Sequence, residues 1–182
     1  MRPIREFSVL VALAVAAGCS DSNSLAAPTQ SNVVDTVTLG ALEGTPIQTP
    51  SAYSVLSGAV RTDQTTDFEF AYNVDSTGRR VFLPRKVLGL TSTSGANPGV
   101  QASSATFDQI TVAPSNGYVT DSAVPVDIGQ RWLVRSRVFC AIGVPQYAKL
   151  EILSFEDSTV TFQVLADNNC GYKGLEPGLP DR

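Results

Sequence analysis

The chain has 182 residues, 43% of them hydrophobic and 16% charged, with a formal net charge of −4 and no histidine. This length suits one ordinary domain with its own core. The acidic balance speaks against a nucleic-acid partner, whose phosphates need a clustered basic surface. The lack of histidine removes the side chain most used for acid–base catalysis near neutral pH.

In chain order, the first segment reads as an address. Met1 to Phe7 carries Arg2 and Arg5, Ser8 to Ala17 is almost unbroken apolar sequence, and Gly18-Cys19 follows. A basic start, a short apolar core and small residues at the break are the parts of a secretory signal peptide. The apolar run is too short to span a bilayer, which takes about 20 residues. Val15-Ala16-Ala17-Gly18-Cys19 resembles the lipobox of bacterial lipoproteins, with Ala16 where Leu is usual. That resemblance implies a lipidated Cys19 at the mature N-terminus and a membrane partner reached through the acyl chains. The alternative is an ordinary signal peptide cut after Ala16, with Cys19 a bystander thiol. Ser20 to Asn32 is rich in Ser, Asp, Asn, Ala and Pro and lacks apolar periodicity, which reads as a flexible tether. The expected organisation is a signal peptide over 1–18, a lipidated tether over 19–32 and a single domain over 33–182. The expected location is the bacterial cell envelope, lipid-anchored, with Ser20 compatible with the outer membrane.

The middle of the chain reads as short strands separated by turns. Val33 to Leu39 and Ala52 to Leu56 are strand candidates, divided by Gly44-Thr45-Pro46 and Thr49-Pro50. Asp67 to Val74 alternates, which places Phe68, Phe70, Tyr72 and Val74 on one face. Asp75-Ser76-Thr77-Gly78 is a turn, Arg80 to Leu83 returns as the second arm of a hairpin, and Pro84 ends it. Thr91 to Ser104 and Pro114 to Pro125 read as long loops, with Thr106 to Val112 a short strand between them.

From Gln130 to Ala166 three runs of strand length are joined by turns at Ala141 to Gln146 and Glu156 to Ser158, which predicts a three-stranded antiparallel meander. Trp132, Val134 and Val138 share an apolar face, as do Ala148, Leu150 and Ile152, and Val160, Phe162, Val164 and Ala166. The other face carries Arg131, Arg135, Arg137, Lys149 and Glu151 and is expected to be solvated. Leu133, Phe139 and Leu153 on that side imply partial cover. The first and third strands of a meander run the same way, so Cys140 and Cys170 fall near one end of the sheet. With Cys19 lipidated they form an even pair in an oxidising compartment, and a disulfide between them is expected. A thiolate metal site is the weaker alternative, since two cysteines without histidine make a poor ligand set.

Tyr53-Ser54-Val55-Leu56-Ser57-Gly58 with Asp67-Phe68-Glu69-Phe70-Ala71-Tyr72, then Trp132 to Arg137 and Tyr147-Ala148-Lys149-Leu150, resembles the motif order of HmuY-like bacterial envelope lipoproteins. Phe68 stands where that family usually has Trp. The resemblance implies an all-β fold of antiparallel sheets and an envelope address, and the best-known members capture haem. Their iron ligands are histidine or methionine, and the single methionine here is Met1. Haem is therefore a disfavoured cofactor, although haem iron also accepts Cys or Tyr.

No catalytic residue and no metal set is expected. Without histidine a Ser-His-Asp set is excluded, and no Gly-rich phosphate loop precedes a helix. The reading is an all-β domain with long loops, non-catalytic, serving interaction or structural roles toward an envelope protein. The alternative is a carrier of haem or another small apolar ligand, with Phe68, Phe70, Tyr72 and Trp132 as the pocket aromatics.

Overall fold

In a computed structural model of the chain the described residues are 26–92, 95 and 97–181. Cys19 and the expected signal peptide lie outside them. The strands are β1 (Val34–Gly40), β2 (Ala52–Ser54), β3 (Gly58–Val60), β4 (Phe70–Val74), β5 (Arg80–Pro84), β6 (Gly99–Ser103), β7 (Val124–Pro125), β8 (Arg131–Val138), β9 (Pro145–Glu156) and β10 (Thr159–Asp167). They form two antiparallel sheets of five, in the orders β1-β10-β9-β8-β6 and β3-β2-β4-β5-β7. One short 3-10 turn, Arg85–Leu88, follows β5. Among the described residues no helix is long and apolar enough to cross a membrane.

The expected meander is β8-β9-β10, with Trp132 opposite Leu150 and Val164 opposite Leu150 from the other side. Its apolar face meets the second sheet across a continuous core. Trp132, Val134, Leu150, Ile152 and Phe162 come from the first sheet, and Tyr53, Phe70, Tyr72 and Phe82 from the second. Strands with period-two apolar patterns can satisfy their backbones within each sheet and bury one face against the other, the arrangement of a β-sandwich. β1 joins the same sheet beside β10, at the opposite end of the chain.

The β4–β5 hairpin forms where the Asp75 turn demands it. Asp75 Oδ1 accepts from Thr77 N, Thr77 Oγ1 and Arg79 N, and Gly78 takes the positive φ of 79°. The Thr77 hydroxyl and the Arg79 backbone amide hold that carboxyl well below the usual carboxylate range.

Several expectations differ. Phe68 precedes β4 and packs with Ala52 and Ala71 in a separate cluster, not with Phe70 and Tyr72. The second half of the expected Thr91–Ser104 loop is β6, because Gly99 to Ser103 pairs with β8 from Arg135 to Arg131. Thr106 to Val112 is not a strand; its residues turn so that Phe107 and Ile110 pack on the outer face of the first sheet. That face is therefore not a solvated ionic stripe. Lys149 is 2% exposed and its Nζ donates to Phe107 O at 2.8 Å and Ile110 O at 2.9 Å. The turn leaves carbonyls without a ladder, and the lysine supplies the missing donors. Burial pulls the Lys149 pKa down. Of the three apolar residues on that face, Leu133 is covered, while Phe139 and Leu153 stay exposed. Finally, the end of the expected tether belongs to the domain: Thr29 N and Gln30 N donate to Asn169 Oδ1, and buried Asn32 exchanges backbone hydrogen bonds with Gly178.

Candidate functional site

Chemistry gathers at one end of the sandwich, where the chain leaves β2, approaches β4 and crosses from β8 to β9. β2 stops at Ser54, so the Val55 N–H has no ladder partner. Glu69, one residue before β4, supplies one: its Oε2 accepts from Val55 N at 2.6 Å. Its backbone is fixed on both sides, with Glu69 N donating to Tyr53 O and Arg85 N donating to Glu69 O. Glu69 as a whole is 3% exposed. Burial pushes its pKa up to about 7, opposed by the Val55 N–H and by the charges of Arg137 and Arg85, and assisted by Asp67. Tyr53 beside it is pushed well above the usual phenol range, first by burial and then by the Glu69 charge.

β8 contributes through an irregularity. Its register against β9 shifts between Arg135 and Val138. Regular alternation would have turned Val138 inward with Trp132 and Val134; the shift leaves Val138 only partly buried and places Ser136, 3% exposed, at the end of the sandwich. Ser136 Oγ accepts from Gln146 N at 2.8 Å and donates to Arg137 O. The next residue, Arg137, reaches across to the second sheet and meets Asp67 at 2.7 Å. With a half-exposed aspartate this pair contributes modestly to stability, but it fixes the guanidinium in place.

These groups line a cavity of about 110 Å³ bounded by Ser54, Leu56, Ser57, Asp67, Glu69, Ser136, Arg137, Phe139 and Gln146. A second, more open groove of about 320 Å³ runs between β1 and the β2–β3 turn, lined by Val34, Asp35, Val37, Tyr53, Val55, Leu56 and Val164 among others.

The expected site residues fall in several places. Cys140 and Cys170 are joined, with the sulfurs 2.05 Å and the Cα atoms 5.6 Å apart. The bridge closes the end of β8 onto the segment after β10. Phe70, Tyr72 and Trp132 sit in the central core: Phe70 and Phe82 lie 4.3 Å apart between ring centroids, and Phe82 meets Trp132 edge-on at 6.2 Å. Phe68 lies apart from them. Neither of the two cavities is lined by any of these four aromatics. Among the described residues no three Cys, Asp or Glu side chains gather as a metal set.

Local sequence pattern does not mark Glu69 as a site residue. The available signal was an acidic residue inside Phe68-Glu69-Phe70-Ala71, a run whose neighbours are all buried. An acid in such a run needs either a solvated face or a buried partner.

Comparison of the chain with protein-family models, with curated proteins and with solved structures gives no match in any of the three.

Proposed function

We propose that this chain is a lipid-anchored protein of the bacterial cell envelope, in the outer membrane, whose β-sandwich works without catalysis as an interaction or structural module. The address rests on the signal-peptide pattern and the lipobox at Cys19, and the HmuY-like motifs agree with it. The observation that carries the reading of the domain is the use made of the aromatics. Phe70, Tyr72 and Trp132, the side chains best suited to hold haem or another flat apolar ligand, are spent on joining the two sheets, at 0%, 0% and 6% exposure. A carrier of a drug-sized apolar ligand would keep such rings around a cavity of roughly 300–1,000 Å³.

The second reading, a small-ligand carrier, is favoured by the groove beside β1, whose 320 Å³ reaches the lower end of that range. Haem is the less suited occupant, since the chain offers no histidine and its two core-domain cysteines are bridged.

Native mass spectrometry of the protein extracted in detergent from its own host's envelope tests both. The expected mass is that of the chain from Cys19 onward, acylated and oxidised, and bare after incubation with haem. An extra mass that leaves on denaturation would overturn the module reading in favour of a carrier. An unacylated N-terminus would remove the anchor.

A further inference from the structure

The cavity at the end of the sandwich has a composition that selects its occupant. At its inner wall stands Glu69, 3% exposed, with Oε2 committed to Val55 N and no hydrogen bond to Oε1 among the described residues. Gln146, 2% exposed, lines the same cavity; its Nε2 donates to Asn168 O at 2.7 Å, and its Oε1 is buried with no hydrogen-bond partner among the described residues. Ser54 Oγ accepts from Ser57 N at 3.3 Å and keeps a lone pair to offer. On the two nine-tenths-buried side chains, Glu69 and Gln146, the unspent atoms are acceptors. The resident cation, Arg137, is held by Asp67 at 2.7 Å and lies beside the Phe139 ring. At the rim, Phe139 is 52% and Leu56 45% exposed. An apolar rim over an acceptor-lined, acidic base suits a molecule with an aliphatic stem and a donor-rich cationic head. The volume of about 110 Å³ holds such a head and a few methylenes, far less than a drug-sized ligand.

We infer that this cavity is a receptor for a primary ammonium group on an aliphatic stem. The ammonium has three donors and no acceptor, which matches the free oxygens around it. Its charge also offsets the desolvation of the Glu69 carboxylate, and the stem lies along Leu56 and Phe139. Two sources share this chemistry: a lysine side chain presented by a protein, and a free alkylamine. The cavity's chemistry stands by itself, and only the protein source rests on the interaction-module reading.

The test is a titration of the full purified chain, in detergent, with n-butylammonium chloride at pH 8, followed by amide resonances of Ser57, Phe139 and Gln146. The expected result is a saturable shift, with n-butanol giving none and affinity falling about tenfold or more at pH 5.5, as a carboxyl titrating near 7 gains its proton. Glu69→Gln lowers affinity by a similar factor with unchanged circular dichroism. Phe139→Ala, at an exposed position, weakens n-butylammonium and leaves methylammonium unaffected, so the inference does not hang on the buried variant alone. Equal shifts with n-butanol, undiminished affinity in the Glu69→Gln protein, or no shift at pH 8 would each overturn it. A peptide Ala-Lys-Ala that competes with n-butylammonium identifies the protein source, and competition by putrescine alone identifies the free amine. Failure here leaves the mass-spectrometric result on the anchored, ligand-free chain untouched.

Discussion

Glu69 shows how one side chain carries both a cost and a use. Its carboxyl titrates near 7 in the fold, against 4.5 for an ordinary glutamate. A raised carboxyl pKa means that the unfolded chain releases its proton first as pH climbs. The contribution of Glu69 to stability is therefore largest below about 4.5, falls between about 4.5 and 7, and is flat above that, a total loss of roughly 3 kcal/mol from this group. Urea midpoints at pH 5 and pH 8 should show that slope. Glu69→Gln, which keeps an acceptor for Val55 N, should flatten it and raise the midpoint at pH 8. An unchanged slope in the variant would mean that another group sets the pH dependence. The sequence showed that an acid sits between Phe68 and Phe70. It did not show that β2 ends at Ser54 and leaves Val55 N–H open beside it, because that meeting joins residues 14 positions apart through tertiary packing.

At the scale of elements, β6 is the instructive strand. Gly99 to Ser103 has a single β-branched residue, Val100, and lies in a Ser/Thr/Gly-rich stretch, so it reads as loop; it is a strand because β8 supplies a ladder and the segment around Val119 closes its other side. Val100 and Val119 exchange both backbone hydrogen bonds, and a Cβ on Gly99 would lie 2.5 Å from Val119 O and 2.9 Å from Thr120 Cγ2. Gly99→Ala should therefore push the 118–120 segment outward and cost about 1–3 kcal/mol, read as a lower melting temperature with faster amide exchange at Val119. A melting temperature equal to the parent's would show that the segment yields freely. The disulfide works over a longer range. It spans 30 residues and ties the end of β8 to the segment beyond β10. Replacing both cysteines by serine should lower stability by about 2–4 kcal/mol, measured by denaturant unfolding without reductant. Added reductant should bring the parent protein to the same midpoint.

For the whole molecule, the core is one continuous apolar layer between two sheets, and Phe162 is at its centre. It is fully buried, with its ring 5.7 Å from Tyr53, 6.3 Å from Phe70 and 6.4 Å from Phe82 between centroids. Phe162→Ala should cost about 3–5 kcal/mol, and the near-ultraviolet dichroism of the aromatic cluster should collapse along with the denaturation midpoint. A loss below about 1 kcal/mol would mean that the layer refills the space, and that the two sheets are less tightly matched than their contacts suggest.

Local pattern along the chain suffices for the all-β class, the β4–β5 hairpin, the β8-β9-β10 meander and the pairing of Cys140 with Cys170. Each of these follows from local period, from turn chemistry, or from a count of cysteines with the direction of neighbouring strands. Long-range packing set the rest. It set β1 beside β10, brought the 106–113 segment over Lys149, separated Phe68 from Phe70 and Tyr72, and gathered Glu69, Ser136 and Gln146 around one cavity. The physical reason is common to all four. Alternation tells which face of a strand is apolar, but the partner that covers it, or a hydrogen-bond donor left open where a strand stops, comes from residues far away in the chain.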